Sequence, residues 1–177
     1  KNMARSLLKD SWPLILSGLV ISIYMKIDQI MIKEMLNTEA VGQYAAAVRI
    51  SEAWYFVPVI IASSFLPAII NSQKINKDIY YDRLQKLYKL MIWVSIFIAI
   101  TMTFLSDWAV DFLYGEQYHQ SGRVLMIHIW AGIFVSVGMI TSQIVIVNNM
   151  QRNGLKATAA GSLFNVLLNY ILIPVYG

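Results

Sequence analysis

The chain has 177 residues, of which 58% are hydrophobic and only 14% are charged, and it contains no cysteine. Soluble domains are usually about one-quarter charged, so this composition, with a mean hydropathy of +0.57, excludes an ordinary soluble fold. The absence of cysteine excludes disulfides and thiolate metal sites. The net charge of +4 comes mainly from residues in the connections between apolar runs, so it indicates membrane topology and not nucleic-acid binding.

The apolar runs predict five membrane-spanning helices, because each run is long enough to cross about 30 Å of hydrocarbon as a helix. We place these spans at residues 11–36, 43–70, 88–106, 124–148 and 157–176. Pro13 is expected in the first turn of the first span, where its missing N–H costs little. Pro58 and Pro67 are expected to kink the second span or end it early. The predicted fold class is all-α, a polytopic membrane helix bundle that forms a single membrane domain.

The orientation of the bundle follows from the lysines and arginines in its connections. The leading segment and the second and fourth connections hold ten of them, whereas the first and third connections hold two. Cytoplasmic loops carry the excess of basic residues, so the N-terminus is predicted to be cytoplasmic. Five crossings then leave the C-terminus on the outer side.

Two amphipathic segments flank the third span. In residues 78–89 the apolar residues share one helical face, which predicts a helix on the cytoplasmic surface that runs into the span. Residues 107–114 predict a short helix in the outer interface, ended by Gly115.

Four charged residues, Lys26, Asp28, Arg49 and Glu52, lie more than one helical turn from the ends of the first two spans. Burying a charge there costs about 2.5–3.5 kcal/mol on insertion scales. Lys26 and Asp28 point to different sides of a helix, whereas Arg49 and Glu52, at i and i+3, can meet on one face. At 1.5 Å per residue, all four lie at a similar depth in the outer half of the membrane if the two helices form an antiparallel hairpin. We therefore predict that Asp28 pairs with Arg49, or Lys26 with Glu52.

Two main interpretations of these charges are open. They could form a structural ion-pair cluster, or they could line a water-filled cavity in which Lys26 and Arg49 bind an anionic ligand. The arginine guanidinium can donate two hydrogen bonds to one phosphate group. Lys26 also aligns with Ser22, Gln29 and Lys33 in a polar stripe. Snorkelling to the interface is a third explanation, and it suits Lys33 best.

The fifth span has a second polar stripe on one face, formed by Thr158, Ser162, Asn165 and Asn169. Helix packing is the favoured role for this stripe, and the lining of a sugar-accepting cavity is the alternative. The chain has two histidines, His119 and His128, so we expect no metal site. For His128 we favour a hydrogen-bonded or interface-facing side chain over a proton relay. We expect no catalytic residue.

The stretches "LLKDSWPLILSGLVISIYMKIDQIMI" and "AVGQYAAAVRISEAWYFVPVIIASSFLPAI" resemble polysaccharide-biosynthesis membrane proteins of Wzx type. These are oligosaccharide-lipid flippases of the multidrug/oligosaccharidyl-lipid/polysaccharide exporter superfamily. "FLYGEQYHQSGRVLMI" and "FNVLLNYILIP" extend the resemblance. It implies a transporter of about twelve to fourteen spans in two similar bundles. By this resemblance, and because the chain begins without methionine and ends at an apolar segment, we expect most of the C-terminal lobe of a longer protein.

The resemblance also implies an activity, a location and a set of partners. The expected activity is transfer of an undecaprenyl-diphosphate-linked oligosaccharide, an O-antigen or capsule repeat unit, across the bacterial inner membrane by alternating access, without catalysis. The expected partners are that substrate, membrane lipids and other polysaccharide assembly proteins, with no nucleic acid. No cofactor is expected, and coupling to a proton or sodium gradient is left open.

The same resemblance marks candidate site residues, which are Lys26, Asp28, Arg49 and Glu52, with Gln29 beside them. The sequence departs from the family pattern at Lys33, where glycine is expected, and at Ser121–Gly122, where alanine is commoner. Two other activities compete with the flippase: a multidrug-type cation-coupled exporter of the same superfamily, and an integral-membrane polysaccharide polymerase or glycosyltransferase. As an isolated piece, the chain could also lack activity altogether.

Overall fold

A computed structural model describes the backbone of residues 2–176 and the side chains of residues 11–175. The helices are α1 (Asn2–Met35), α2 (Thr38–Ala53), α3 (Phe56–Ser72), α4 (Lys77–Tyr114), α5 (Ser121–His128), α6 (Ala131–Val147) and α7 (Gln151–Tyr176), with one 3₁₀ turn at Glu116–Tyr118. The described part of the chain contains no strand. The predicted all-α fold class is confirmed.

Length and hydropathy allow these helices to cross a membrane. Four stretches of the described chain qualify, namely Ser11–Met35, Thr38–Ser72, Lys77–Tyr114 and Gln151–Val175. The pair α5 and α6, bent by 41° at a short break, would provide a fifth crossing. The predicted membrane helix bundle is therefore confirmed, with the fourth predicted span present as a bent pair.

The second predicted span is broken between α2 and α3, as its prolines suggested. Pro58 has no N–H, and its ring crowds the carbonyl four residues earlier, which is that of Trp54. That carbonyl accepts instead from the N–H of Val57 at 3.1 Å, a tighter i+3 bond. Pro67, in contrast, lies inside α3, which continues to Ser72.

The third predicted span belongs to a single helix of 38 residues, α4. Segments 78–89 and 107–114, expected as interfacial helices, are the two ends of this helix, because no glycine or proline interrupts Lys77–Tyr114. Asn76 caps its start by accepting from the N–H of Asp78 at 2.7 Å. Gly115, at φ +82°, ends it as expected.

The ends of the first and last helices also differ from expectation. Since α1 begins at Asn2, Pro13 lies inside the helix and not in its first turn. The helix α7 begins at Gln151, before the predicted start at 157.

The helices divide into two compact units, one formed by the chain up to residue 41 and from residue 145, the other by residues 42–144. In the first unit α1 packs along α7. In the second unit α4 is central. One buried cluster of the second unit joins α4 to α2 and α5, and comprises Ala47, Ile50, Ala99, Met102, Ala109, Val110, Leu125 and Ile129.

A second buried cluster joins the first half of α4 to α3 and α6. It comprises Ala62, Leu66, Ile69, Tyr80, Leu87, Met91 and Ile140. The apolar face of segment 78–89 is therefore covered by protein, with Tyr80 only 4% exposed, and does not lie on lipid as expected of an interfacial helix.

Candidate ligand-binding site

Asp28 lies on a partly buried side of α1. The helix runs on through this charge because residues 19–35 contain neither glycine nor proline. Ile27, Asp28 and Gln29 are half-buried, whereas Lys26 is exposed. Two residues along a helix turn the side chain by about 200°. The exposures thus agree with the prediction that Lys26 and Asp28 face different ways.

Asp28 is hydrogen-bonded to an asparagine of α7. Asn169 Nδ2 donates to Asp28 Oδ1 at 2.6 Å, and the same nitrogen lies 3.4 Å from Asn165 Oδ1 one helical turn earlier. All three side chains are part-buried. A polar cluster of one carboxylate and two amides therefore lies within the first unit.

This cluster has two chemical capacities. Its oxygen atoms are the ligand type that hard cations prefer, and the carboxylate can also take up a proton. Its amides can donate and accept hydrogen bonds, as sugar hydroxyls require. In an apolar span such a group is costly unless it is bonded, and the bond from Asn169 reduces that cost.

The polar stripe of the last helix coincides with its partly buried side. Thr158, Ser162, Asn165 and Asn169 are all half-buried, while residues 159–161 between them are exposed. Asn169 bonds across to α1, as expected of a packing residue. A cavity role for Asn165 and Asn169 stays a prediction.

The polar stripe of α1 is mostly exposed. Ser22, Lys26 and Lys33 are exposed, and Gln29 is half-buried. The hydroxyl of Ser22 donates to the carbonyl of Gly18 at 2.8 Å. The two ammonium groups are therefore accessible on one side of this helix.

Arg49 and Glu52 lie near the end of α2, in the second unit. Their neighbours Val48, Ile50 and Ser51 are buried, while Arg49 is exposed and Glu52 is half-buried. Lys26 and Asp28 belong to the first unit, so the pairing of Asp28 with Arg49, or of Lys26 with Glu52, stays a prediction.

A small pocket lies where the α2–α3 break meets the α5–α6 break. Its walls include three serines, Ser51, Ser95 and Ser136, together with Trp54, Tyr55, Pro58, Ile98, Ile129 and Gly132. It has room for about one water molecule. Sequence reasoning missed this pocket, although Pro58 was a signal for one of the two breaks.

The hydroxyls around this pocket are hydrogen-bonded. Ser136 Oγ donates to the carbonyl of Gly132 at 2.7 Å, so its 2.7 Å contact with Ser95 Oγ is donated by Ser95. His128 Nδ1 lies 3.0 Å from Ser51 Oγ, and its ring meets Tyr44 edge-on. His128 is therefore hydrogen-bonded, the first of the two arrangements favoured from the sequence.

The side chain of Gln43 is hydrogen-bonded to the connection between α4 and α5. Its Oε1 accepts from the N–H of Ser121 at 3.1 Å and from its hydroxyl at 2.6 Å, and its Nε2 donates to the carbonyl of Gln117 at 2.8 Å. From the sequence, Gln43 was expected only to begin the second span. Its hydrogen-bond partners lie 74 and 78 residues further along the chain, so no local pattern pointed to these bonds.

The same connection carries a charged pair. His119 Nδ1 lies 3.1 Å from both oxygens of Asp111, at the end of α4. This hydrogen bond and the charge of Asp111 raise the pKa of His119 above its ordinary value. The described residues contain no group of three or more side chains suited to hold a metal ion.

Comparison with known proteins finds a family match for the first part of the chain. Residues 1–73 match the family described as "Polysaccharide biosynthesis protein". The match covers α1, α2 and α3, and so includes Lys26, Asp28, Arg49 and Glu52. It supports a relation to polysaccharide biosynthesis proteins of the membrane. No curated protein and no solved structure matches the chain.

Proposed function

We propose that the chain is part of a flippase that moves undecaprenyl-diphosphate-linked oligosaccharide across the bacterial inner membrane. The observation that carries this proposal is the match of residues 1–73 to polysaccharide biosynthesis proteins, in a segment that holds four charged residues within apolar helices. Ionisable residues inside membrane spans are functional candidates by default. The Wzx-type resemblance gives the more particular activity.

In this mechanism two cations attract the diphosphate. Lys26 on α1 and Arg49 on α2 are both exposed, so neither is committed to a buried partner. A guanidinium offers a two-pronged hydrogen bond to phosphate oxygens, and an ammonium adds a compact charge. The prenyl tail stays in lipid. No covalent bond is made or broken, so the protein acts as a transporter and not as an enzyme.

Translocation proceeds by alternating access. The chain supplies most of one helix bundle, and a second, similar bundle rocks against it to open the cavity to each side in turn. The partners in this proposal are the lipid-linked substrate, the surrounding membrane lipids and other polysaccharide assembly proteins. Nucleic acid has no part in it.

A cation-coupled exporter of the same superfamily is the second candidate function. The bond between Asp28 and Asn169 favours it, because a carboxylate with two amides nearby can exchange a proton or a sodium ion. The same cluster would couple a flippase to an ion gradient. A polymerase is less well supported, since Asp111, an acidic group near the connection after α4, is paired with His119.

The flippase proposal is tested by replacing Lys26 or Arg49 with alanine in the full-length protein in its own cell. Surface polysaccharide, measured at equal protein expression, should fall by about tenfold or more, as expected for the loss of a hydrogen bond to a charged group. Lys33→Ala is the matched control, because Lys33 is exposed on the same stripe but lies nearer the end of α1. Unchanged polysaccharide in the Lys26 and Arg49 variants would make the ligand role wrong.

A second assay separates the two candidate functions. Asp28→Asn removes the charge while keeping a side chain that can accept from Asn169. In vesicles with an imposed proton or sodium gradient, this variant should lose gradient-driven transport of the lipid-linked sugar and keep substrate binding. Transport of cationic drugs by the unaltered protein, without transport of the lipid-linked sugar, would favour the exporter.

A further inference from the structure

The helix α4 carries an exposed stripe along its length. At alternating steps of four and three residues this stripe contains Lys86, Leu90, Trp93, Phe97, Ile100 and Phe104. This spacing places all six on one side of a helix. The aromatic members are among the most exposed in the described chain, with Trp93 at 69%, Phe97 at 72% and Phe104 at 84%. One side of α4 therefore offers a continuous apolar surface.

The length of this stripe matches a bilayer. The charged residues that bound its apolar part are Lys89 and Asp107, which are about 27 Å apart along a helix that rises 1.5 Å per residue. The hydrocarbon core is about 30 Å thick. An apolar surface of that length between charged ends is the surface expected to face lipid acyl chains.

The two ends of the stripe have opposite charge. At one end Arg83, Lys86 and Lys89 are exposed and follow each other at i, i+3 and i+6. At the other end the charged residues are Asp107 and Asp111. A lipid head group therefore meets three basic side chains at one end of the stripe, and at the other end Asp107 beside the pair of Asp111 and His119.

The basic end keeps a net positive charge after its own ion pair is counted. Lys86 Nζ binds Asp82 at 2.7 Å, and both side chains are exposed. Arg83 and Lys89 remain on either side of that pair. Lys89 also lies one helical turn before Trp93, a residue type that prefers the head-group level of a membrane.

We propose that the basic end, formed by Arg83, Lys86 and Lys89, binds the phosphate of an anionic membrane phospholipid. The head group lies over Trp93, and an acyl chain runs along Phe97 and Phe104. Lysines and arginines near a membrane surface attract anionic lipids, and the far end of the stripe carries neither, so the preference is confined to one leaflet. This inference goes beyond the proposed transport function and does not depend on it.

The test uses a variant in which Trp93 is the sole tryptophan, with phenylalanine at positions 12, 54, 108 and 130. In vesicles, quenching of Trp93 fluorescence by brominated phosphatidylglycerol is compared with quenching by brominated phosphatidylcholine. The relative binding constant should favour the anionic lipid by about fivefold and approach one in Arg83→Gln/Lys89→Gln. Lys74→Gln/Lys77→Gln is the matched control, since it removes two charges from the same connection and leaves the stripe intact.

Two outcomes would overturn the proposal. Equal quenching by the two lipids would mean that the surface contacts lipid without a preference for the anionic head group. No quenching by either would mean that protein covers the stripe. Because four tryptophan replacements could disturb folding, the unaltered chain provides a second readout. Head-group-labelled photoreactive phosphatidylglycerol should crosslink to residues 83–93 more than its phosphatidylcholine counterpart does, and equal crosslinking would contradict the proposal.

Discussion

Asn169 Nδ2 donates a 2.6 Å hydrogen bond to Asp28 Oδ1 and so ties α7 to α1, although 141 residues separate the two in the chain. Within a membrane there is little hydrophobic drive between helices, so such polar contacts and close packing hold them together. In the proposed function the same carboxylate also binds the coupling cation, so one side chain would serve both packing and transport.

A double-mutant cycle measures this contact. We expect Asp28→Ala and Asn169→Ala to be coupled by about 1 kcal/mol in unfolding free energy, near the upper range for hydrogen bonds between membrane helices. The free energies can be obtained from unfolding of the purified protein in mixed micelles.

The matched control is the cycle between Asp28→Ala and Asn165→Ala. Asn165 lies on the same face of α7, and its recorded contact in the cluster is the longer one of 3.4 Å to Asn169. Its coupling to Asp28 should be distinctly smaller. Equal coupling in the two cycles would mean that the observed hydrogen bond is not the link between the helices.

Gly122 is needed because a Cβ there would collide with Asp107. The added atom would lie 3.1 Å from the Asp107 Cα, which is backbone, and would overlap its carboxylate oxygen. We expect Gly122→Ala to lower the unfolding free energy by about 1–3 kcal/mol, the usual cost of overpacking. Thermal unfolding followed by circular dichroism can measure it.

Gly138 provides the control for that substitution. It lies in α6, and a Cβ there would meet nothing within 4 Å. Gly138→Ala should be neutral or stabilise by up to about 1 kcal/mol, because alanine favours the helix. If Gly122→Ala were as harmless, the close approach of α4 and α5 at this point would be disproved.

Gln43 should control the order of residues 116–121. In Gln43→Leu the N–H and hydroxyl of Ser121 and the carbonyl of Gln117 lose their partner. We expect amide hydrogen exchange in this connection to become faster by about tenfold, since more than 1 kcal/mol of hydrogen bonding is lost. Gln117→Ala is the control, because Gln117 takes part through its main chain. Faster exchange in both variants, or in neither, would contradict the role of the Gln43 side chain.

The sequence predicted those features that depend on local pattern. Apolar run length identified the helices long enough to cross a membrane, and Pro58 indicated the break after α2. The spacing of Thr158 to Asn169 identified the half-buried side of α7. Each of these follows from residues within a few turns of one another.

Contacts between distant parts of the chain were not predictable in the same way. Nothing in the spacing around Asp28 pointed to Asn169, and Ser51 gave no sign of its bond to His128. The continuation of α4 through residues 107–114 was also missed. Trp108 and Phe112 at i and i+4 indicated a separate short helix in the interface, but an uninterrupted helical backbone continues to Tyr114.

The pair of His119 and Asp111 makes the outer connection sensitive to pH. The hydrogen bond from His119 Nδ1 to the Asp111 carboxylate, and the charge of that carboxylate, raise the pKa of His119 above 6.5. A raised pKa means that the pair contributes stability below the unfolded pKa and that the contribution is lost as pH rises through the folded value. Nuclear magnetic resonance titration of the His119 ring should show this pKa falling towards 6.5 in Asp111→Asn. Glu116→Gln, in the same connection, should leave the pKa of His119 raised. An unchanged His119 pKa in Asp111→Asn would contradict the assignment of the shift to Asp111.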